Sequence, residues 1–232
     1  MPLHVPGIVL ITATLLLPAA LAPSSKDKGD AQVVLVDISL EQKIDDTARA
    51  VSADHVFAAG DTVRFRLHSR VTGYLYVSNQ STSGRYETLF PTAQTGTDNR
   101  IKAGQDYFVP GSADGWFRVE DPPGFEVLYF LISPAPLAPA GTATGAAQLP
   151  GPVQGLMPRC NDAIFKARGE CVDANAGPAP APPDAKLPAE LSGQAGSASR
   201  DIIFSKQKSG TDVATHGPLT GPVIYTFHLA HK

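Results

Sequence analysis

Residues 62–69 alternate strictly, with Val63, Phe65 and Leu67 set against Arg64, Arg66 and His68. A period of two places the three apolar side chains on one face of a β-strand and the three basic ones on the other. One face is therefore core and the other wet, and no helix satisfies the pattern.

The same reading recurs along the chain. Residues 73–80 alternate Leu75 and Val77 against Tyr74 and Tyr76, residues 81–84 supply a polar, Gly-containing hairpin loop, and residues 86–90 form the return strand. Shorter runs follow at 101–104, 107–110 and 116–119. Pro122-Pro123-Gly124 has the residues of a tight turn and launches 125–133, a β-prone run expected to be a central strand. Upstream, residues 32–40 read as a strand covered on both faces, with Val33 and Leu35 on one side and Val34, Val36 and Ile38 on the other. Residues 41–59 read as a charged connection with a short helix, ending at the turn Ala59-Gly60-Asp61. Two late runs, 201–206 and 222–229, are too short to stand alone and need the main sheet as partner. The total is about eight or nine strands with frequent turn signals, the pattern of an all-β, antiparallel β-sandwich of immunoglobulin-like or related type.

Composition changes abruptly after residue 133. Residues 134–158 and 174–188 are mostly Pro, Ala, Gly and Thr, which offer too little apolar surface to offset the entropy of ordering them. The expected organisation is a signal peptide over 1–24, the main part of the sandwich over 25–133, a Pro/Ala/Gly-rich insertion over 134–199, and C-terminal strands over 200–232 that complete the sandwich.

The signal peptide is read from the apolar stretch of residues 9–17 followed by Ala19, Ala20 and Ala22. It has no Lys or Arg ahead of it, and Pro23 hinders cleavage after Ala22. The apolar run is broken by Pro6, Gly7 and Pro18, short of a comfortable membrane span, so no stable membrane insertion is expected after cleavage. Export to the periplasm or the medium is the expected localisation. In such an oxidising compartment the only two cysteines, Cys160 and Cys171, most simply form a disulfide, worth somewhat under ~3 kcal/mol by the loop-entropy estimate. It closes a loop within the insertion. With 19 basic and 22 acidic residues the chain has no basic field to neutralise phosphates, which excludes nucleic acid as partner.

A further pattern runs through Phe57, Gly60-Asp61, Val63-Arg64-Phe65, Gly73 to Val77, Asn79-Gln80, Ser83-Gly84, Leu89-Phe90-Pro91, Asn99-Arg100-Ile101, Ala103-Gly104, Tyr107, Val109-Pro110, Phe117, Pro122-Pro123-Gly124 and the strand after it. This ordered series resembles the bacterial domain of unknown function family 4384 and covers about a third of the chain. The resemblance implies an all-β module of exported bacterial proteins, sometimes attached to peptidase or kinase domains, with no active site to carry over. The insertion and its cysteine loop lie outside it.

No Gly-x-Ser-x-Gly elbow occurs, and the two cysteines serve each other better than a distant histidine. His228 and His231, three apart on a strand, point to opposite faces and cannot chelate together without a bend. Asp45-Asp46, Asp106 and Glu120-Asp121 lack the spacing of a calcium loop and read as solvated surface. Asn79-Gln80-Ser81 fits a glycosylation acceptor, but a hairpin turn explains it. The aromatic residues Tyr74, Tyr76, Tyr107 and Trp116 are the candidates for a partner-binding surface, against the plainer reading that they complete the core. The expected protein is an exported, non-catalytic binding module of the cell envelope that needs no cofactor or metal and holds another envelope or secreted protein, a peptide or a glycan. The alternatives are a structural accessory that pairs with a secreted partner through a strand edge, and an enzyme of unrecognised type.

Overall fold

A computed structural model describes residues 1–2, 31–91, 98–111, 115–137, 171–181, 202–208 and 210–232. The first strands in chain order are β1 (Gln32–Ile44), β2 (Thr47–Val51), β3 (Val56–Phe57), β4 (Thr62–Ser69), β5 (Gly73–Gln80), β6 (Tyr86–Phe90) and β7 (Arg100–Ile101). They are followed by β8 (Asp106–Val109), β9 (Phe117–Arg118), β10 (Gly124–Ser133), β11 (Gly177–Pro180), β12 (Ile202–Gln207), β13 (Gly210–His216) and β14 (Val223–His231). The described residues contain fourteen strands, more than the sequence pattern suggested, and no helix.

The strands form two seven-stranded sheets. The first has the order β12-β13-β1-β4-β8, with β2 beside β1 and β9 beside β4; the second has the order β11-β14-β10-β5-β6, with β3 beside β14 and β7 beside β5. All pairings are antiparallel except the short parallel contact of β3 with β14. The alternation in β4 is realised as read: Val63, Phe65 and Leu67 are buried, while Arg64, Arg66 and His68 lie on the outer face. Facing them from the second sheet are Leu75 and Val77 of β5, Leu128, Phe130 and Ile132 of β10, and Tyr225, Phe227 and Leu229 of β14, which join them in one core. Each such side chain contributes roughly 1.5–3 kcal/mol by burial. The result is sandwich-like, with Phe65 edge-on to Phe227 at 4.9 Å and to Phe130 at 5.5 Å.

β10 lies between β14 and β5 and is apolar on both sides. Its outer positions Val127, Tyr129 and Leu131 form a second cluster with Ile224 and Ala181, against which Tyr76, Tyr86 and Leu137 pack. A third small cluster of Val56, Phe125, Cys171 and Ala230 sits apart from both.

Three expectations are corrected. β1 is not covered symmetrically on two faces: a register shift between Val34 and Val36 re-phases the strand, so Leu35, Val36, Ile38 and Leu40 all join one core. The charged connection after it holds no helix. β1 continues to Ile44 and turns back into β2 through Asp45 and Asp46, both at positive φ (49° and 59°), the geometry of a tight two-residue hairpin. Finally, the second Pro/Ala-rich stretch contains an edge strand, β11, which pairs with β14. Proline is tolerated at an edge because its missing N–H removes no ladder bond on the outward side.

Candidate functional site

A cleft of about 330 Å³ opens between the sheets on the side where β6 ends the second sheet and β9 flanks β4 in the first. On the opposite side of the sandwich β11 approaches β12. The floor of the cleft is core: Val63 and Phe65 of β4, Leu89 of β6, Leu128 of β10 and Leu229 of β14. One wall is the β5–β6 turn with Ser81, Thr82 and Ser83, continuing into Arg85 and Glu87. The other is the segment from Trp116 to Pro122, which brings Phe117, Arg118, Glu120 and Asp121.

The cleft is anchored at one end by Glu126, the single charge in an otherwise apolar strand run. Asn79 Nδ2 donates to Glu126 Oε2 at 2.6 Å, and the Thr82 backbone N–H donates to Oε1 at 3.2 Å. His231, 1% exposed, places Nε2 3.0 Å from Thr82 Oγ1 and 3.7 Å from Glu126 Oε1. Burial pushes the Glu126 carboxyl upward, but the bonds from His231, Asn79 and Thr82 outweigh it and hold the group below its ordinary range. Gly124 is required here: its φ is +157°, and a Cβ would come within 2.6 Å of Thr82 Cγ2. Thr82 and Glu126 both meet the same imidazole nitrogen, so the cluster lacks the order of a catalytic relay, in which nucleophile and orienting acid take opposite nitrogens. It ties the hairpin turn to β10 and β14.

Trp116 reaches the cleft while its ring lies against Arg64, whose guanidinium is 4.4 Å from the Trp116 centroid and 4.3 Å from that of Phe108. Arg64 Nε also donates to Glu41 Oε2 at 2.7 Å. The indole is thus fixed by a cation on the outer face of the first sheet.

The other three aromatic candidates lie elsewhere. Tyr74 and Tyr76 project from β5 on the outer side of the second sheet, half-buried, and the Tyr76 hydroxyl accepts from the Leu137 N–H at 2.8 Å. Tyr107, on β8, packs at the margin of the core; its hydroxyl accepts from the Lys102 N–H at 2.8 Å and donates to Gln105 Oε1 at 3.1 Å. The four do not converge. Cys171 is buried against Val56, Phe125 and Ala230, and its expected partner Cys160 lies outside the described residues, as do most of the 134–199 insertion and almost all of the 1–24 segment.

The outer face of the first sheet carries a charged row. Asp212, Asp37, His68 and Asp106 stand opposite one another across β13, β1, β4 and β8. His68 Nδ1 is 2.7 Å from Asp106 Oδ1, Arg66 Nη2 donates to Asp106 Oδ2 at 2.6 Å, and Arg70 Nε donates to Asp37 Oδ2 at 2.7 Å. The Arg66 bond is the chief reason that the Asp106 carboxyl is held low. Asp212 is raised, first by burial and then by its neighbour Asp37. His68 is beside an acid, but on this charged outer face and not in the cleft. His228 and His231 have separate partners: His228 Nδ1 is 3.2 Å from the Asn175 carbonyl, and burial pushes its imidazole downward. Among the described residues no three His, Cys, Asp or Glu side chains are grouped to hold a metal ion.

Glu126, Asn79, Thr82, His231, Glu87 and Arg118 were not singled out together from sequence; the one signal that pointed to them is Glu126 itself, the only acid between residues 124 and 133. No curated protein and no solved structure matches the chain. Residues 56–136, which run from β3 through β10 and supply both walls of the cleft, match the family model described as Domain of unknown function (DUF4384).

Proposed function

We propose that the protein is an exported, non-catalytic binding module of the bacterial cell envelope, with the cleft between β6 and β9 as its ligand seat. The observation that supports this most is the pairing of an apolar floor with a charged rim in one concave site, the composition of a recognition pocket. Trp116 is the one aromatic candidate from the sequence that lines it. The apolar stretch of residues 9–17 supports export, and the two cysteines suit an oxidising compartment. On this reading the sandwich is immunoglobulin-like or related, and a Cys160–Cys171 bridge closes a loop in the insertion.

The test is retention of components from periplasmic and secreted fractions by the immobilised full chain, compared with an Asp121→Lys variant. Loss of about tenfold or more in the retention of a specific component supports the cleft. A component held equally by both places binding elsewhere, and retention of nothing removes the binding reading.

A further inference from the structure

We propose that the cleft receives an extended peptide, which adds as a strand to the outer edge of β6 and carries a basic side chain near an apolar one. This rests on the cleft being the ligand seat. It goes further by naming the ligand and how it is held.

The backbone argument comes first. β6 ends the order of the second sheet, and no described strand lies on its far side. Its residues Glu87 and Thr88 are exposed. The edge thus presents backbone donors and acceptors of the kind that capture an extended segment. β9, also at an edge, lines the opposite wall, so an incoming strand enters between the two sheets. The cleft volume, about 330 Å³, is at the small end for ligand sites and admits a few side chains of a segment, not a folded domain.

The side chains specify the sequence. Arg85, Glu87 and Leu89 line the cleft at every second position, while Tyr86 packs on the outer side of the sheet against Tyr129. β6 is irregular at Leu89, because Val77 pairs with Phe90 and Ser78 with Thr88, so a strand paired to β6 sets one residue opposite Glu87 and another, beyond the irregularity, near Leu89. The position facing Leu89 meets the apolar floor of Phe65 and Leu128 and takes an aliphatic side chain. The position facing Glu87 meets an acidic rim, because Glu87, Glu120 and Asp121 outnumber Arg85 and Arg118. None of these five belongs to an ion pair among the described residues. Glu126 is already satisfied by its own partners. A Lys or Arg on the peptide supplies the missing counter-charge.

The experiment pans a display library of random ten-residue peptides against the full chain. Enriched peptides are expected to carry Lys or Arg within a few positions of Val, Ile or Leu. N-methylation of alternate amides in a synthetic copy, which removes donors and keeps side chains, is expected to weaken binding about tenfold or more. Glu87→Lys, a change at an exposed position that leaves the core intact, is expected to shift selection toward acidic peptides. Enrichment without charge preference, or N-methylated peptides that bind equally well, overturns the proposal. So does a dimer of the full chain that Thr88→Pro dissolves, since the edge then serves a second copy. If no peptide is enriched but Asp121→Lys still loses an envelope component such as a glycan, the peptide is wrong and the cleft stands. If both assays are blank, both readings fall.

Discussion

At the scale of single residues, Glu126 is the group on which the cleft end depends. Its carboxylate accepts from Asn79 and Thr82 and faces the buried His231. Because the folded state holds this carboxyl below its ordinary value of 4.5, its contribution is present above that value. The contribution is lost as pH falls through the lower, folded value. Glu126→Gln is therefore expected to lower stability at neutral pH by about 1–3 kcal/mol. The gap between wild type and variant should close under acid, as measured by urea unfolding over a pH series. An unchanged gap would mean that Glu126 is not charged in the fold. Asp212 behaves in the opposite sense. Burial, and Asp37 directly across the ladder, raise its carboxyl, so its charge costs stability once pH exceeds the folded value. Asp212→Asn keeps the acceptor for Gln207 and is expected to raise the melting temperature at pH 7 by a few degrees. Under acid, where Asp212 is already protonated, it should change nothing.

At the scale of elements, the predicted bridge between Cys160 and Cys171 is checked by intact-mass measurement without reductant, which should show one pair of hydrogens missing. Free thiols would remove the bridge. How far the strands were legible depended on contrast between neighbouring side chains. β4, β5 and β6 were read with their observed limits because Val63, Phe65, Leu67, Leu75 and Val77 alternate with polar or aromatic residues. β10 was recognised because its apolar run is unbroken except at Glu126. β13 was missed: Thr211, Thr215 and Ala214 are small or only mildly apolar, yet all three are buried. β2 was missed because Thr47, Ala48, Arg49 and Ala50 are exposed on both faces, leaving no apolar alternation to detect. β11 was hidden by its prolines. The cleft was partly legible through Trp116 alone. Its walls come from segments about thirty residues apart in sequence that meet only when the two sheets stack, and no local pattern records that meeting.

At the scale of the whole molecule, the core is held from both sheets through Phe65, which is fully buried and touches Phe130, Phe227 and Phe117. Phe65→Ala is expected to cost about 3–5 kcal/mol in chemical denaturation. A smaller loss would show that the two sheets collapse readily onto the vacancy. The family match ends at residue 136, but the fold does not: β13 lies between β12 and β1, and β14 between β11 and β10. A fragment of residues 31–137 therefore leaves β1 and β10 each with an open side and is expected to show no cooperative thermal transition by circular dichroism. A sharp transition would make the late strands dispensable.

The position of β14 also bears on when the protein can fold. It follows every other described strand, yet it lies between β11 and β10 in its sheet. During synthesis the earlier strands emerge first and wait with an unfilled place between them, because closing so long a loop early carries an entropic cost without the contacts that offset it. The main core is therefore expected to close only once β14 is available to pair with β10.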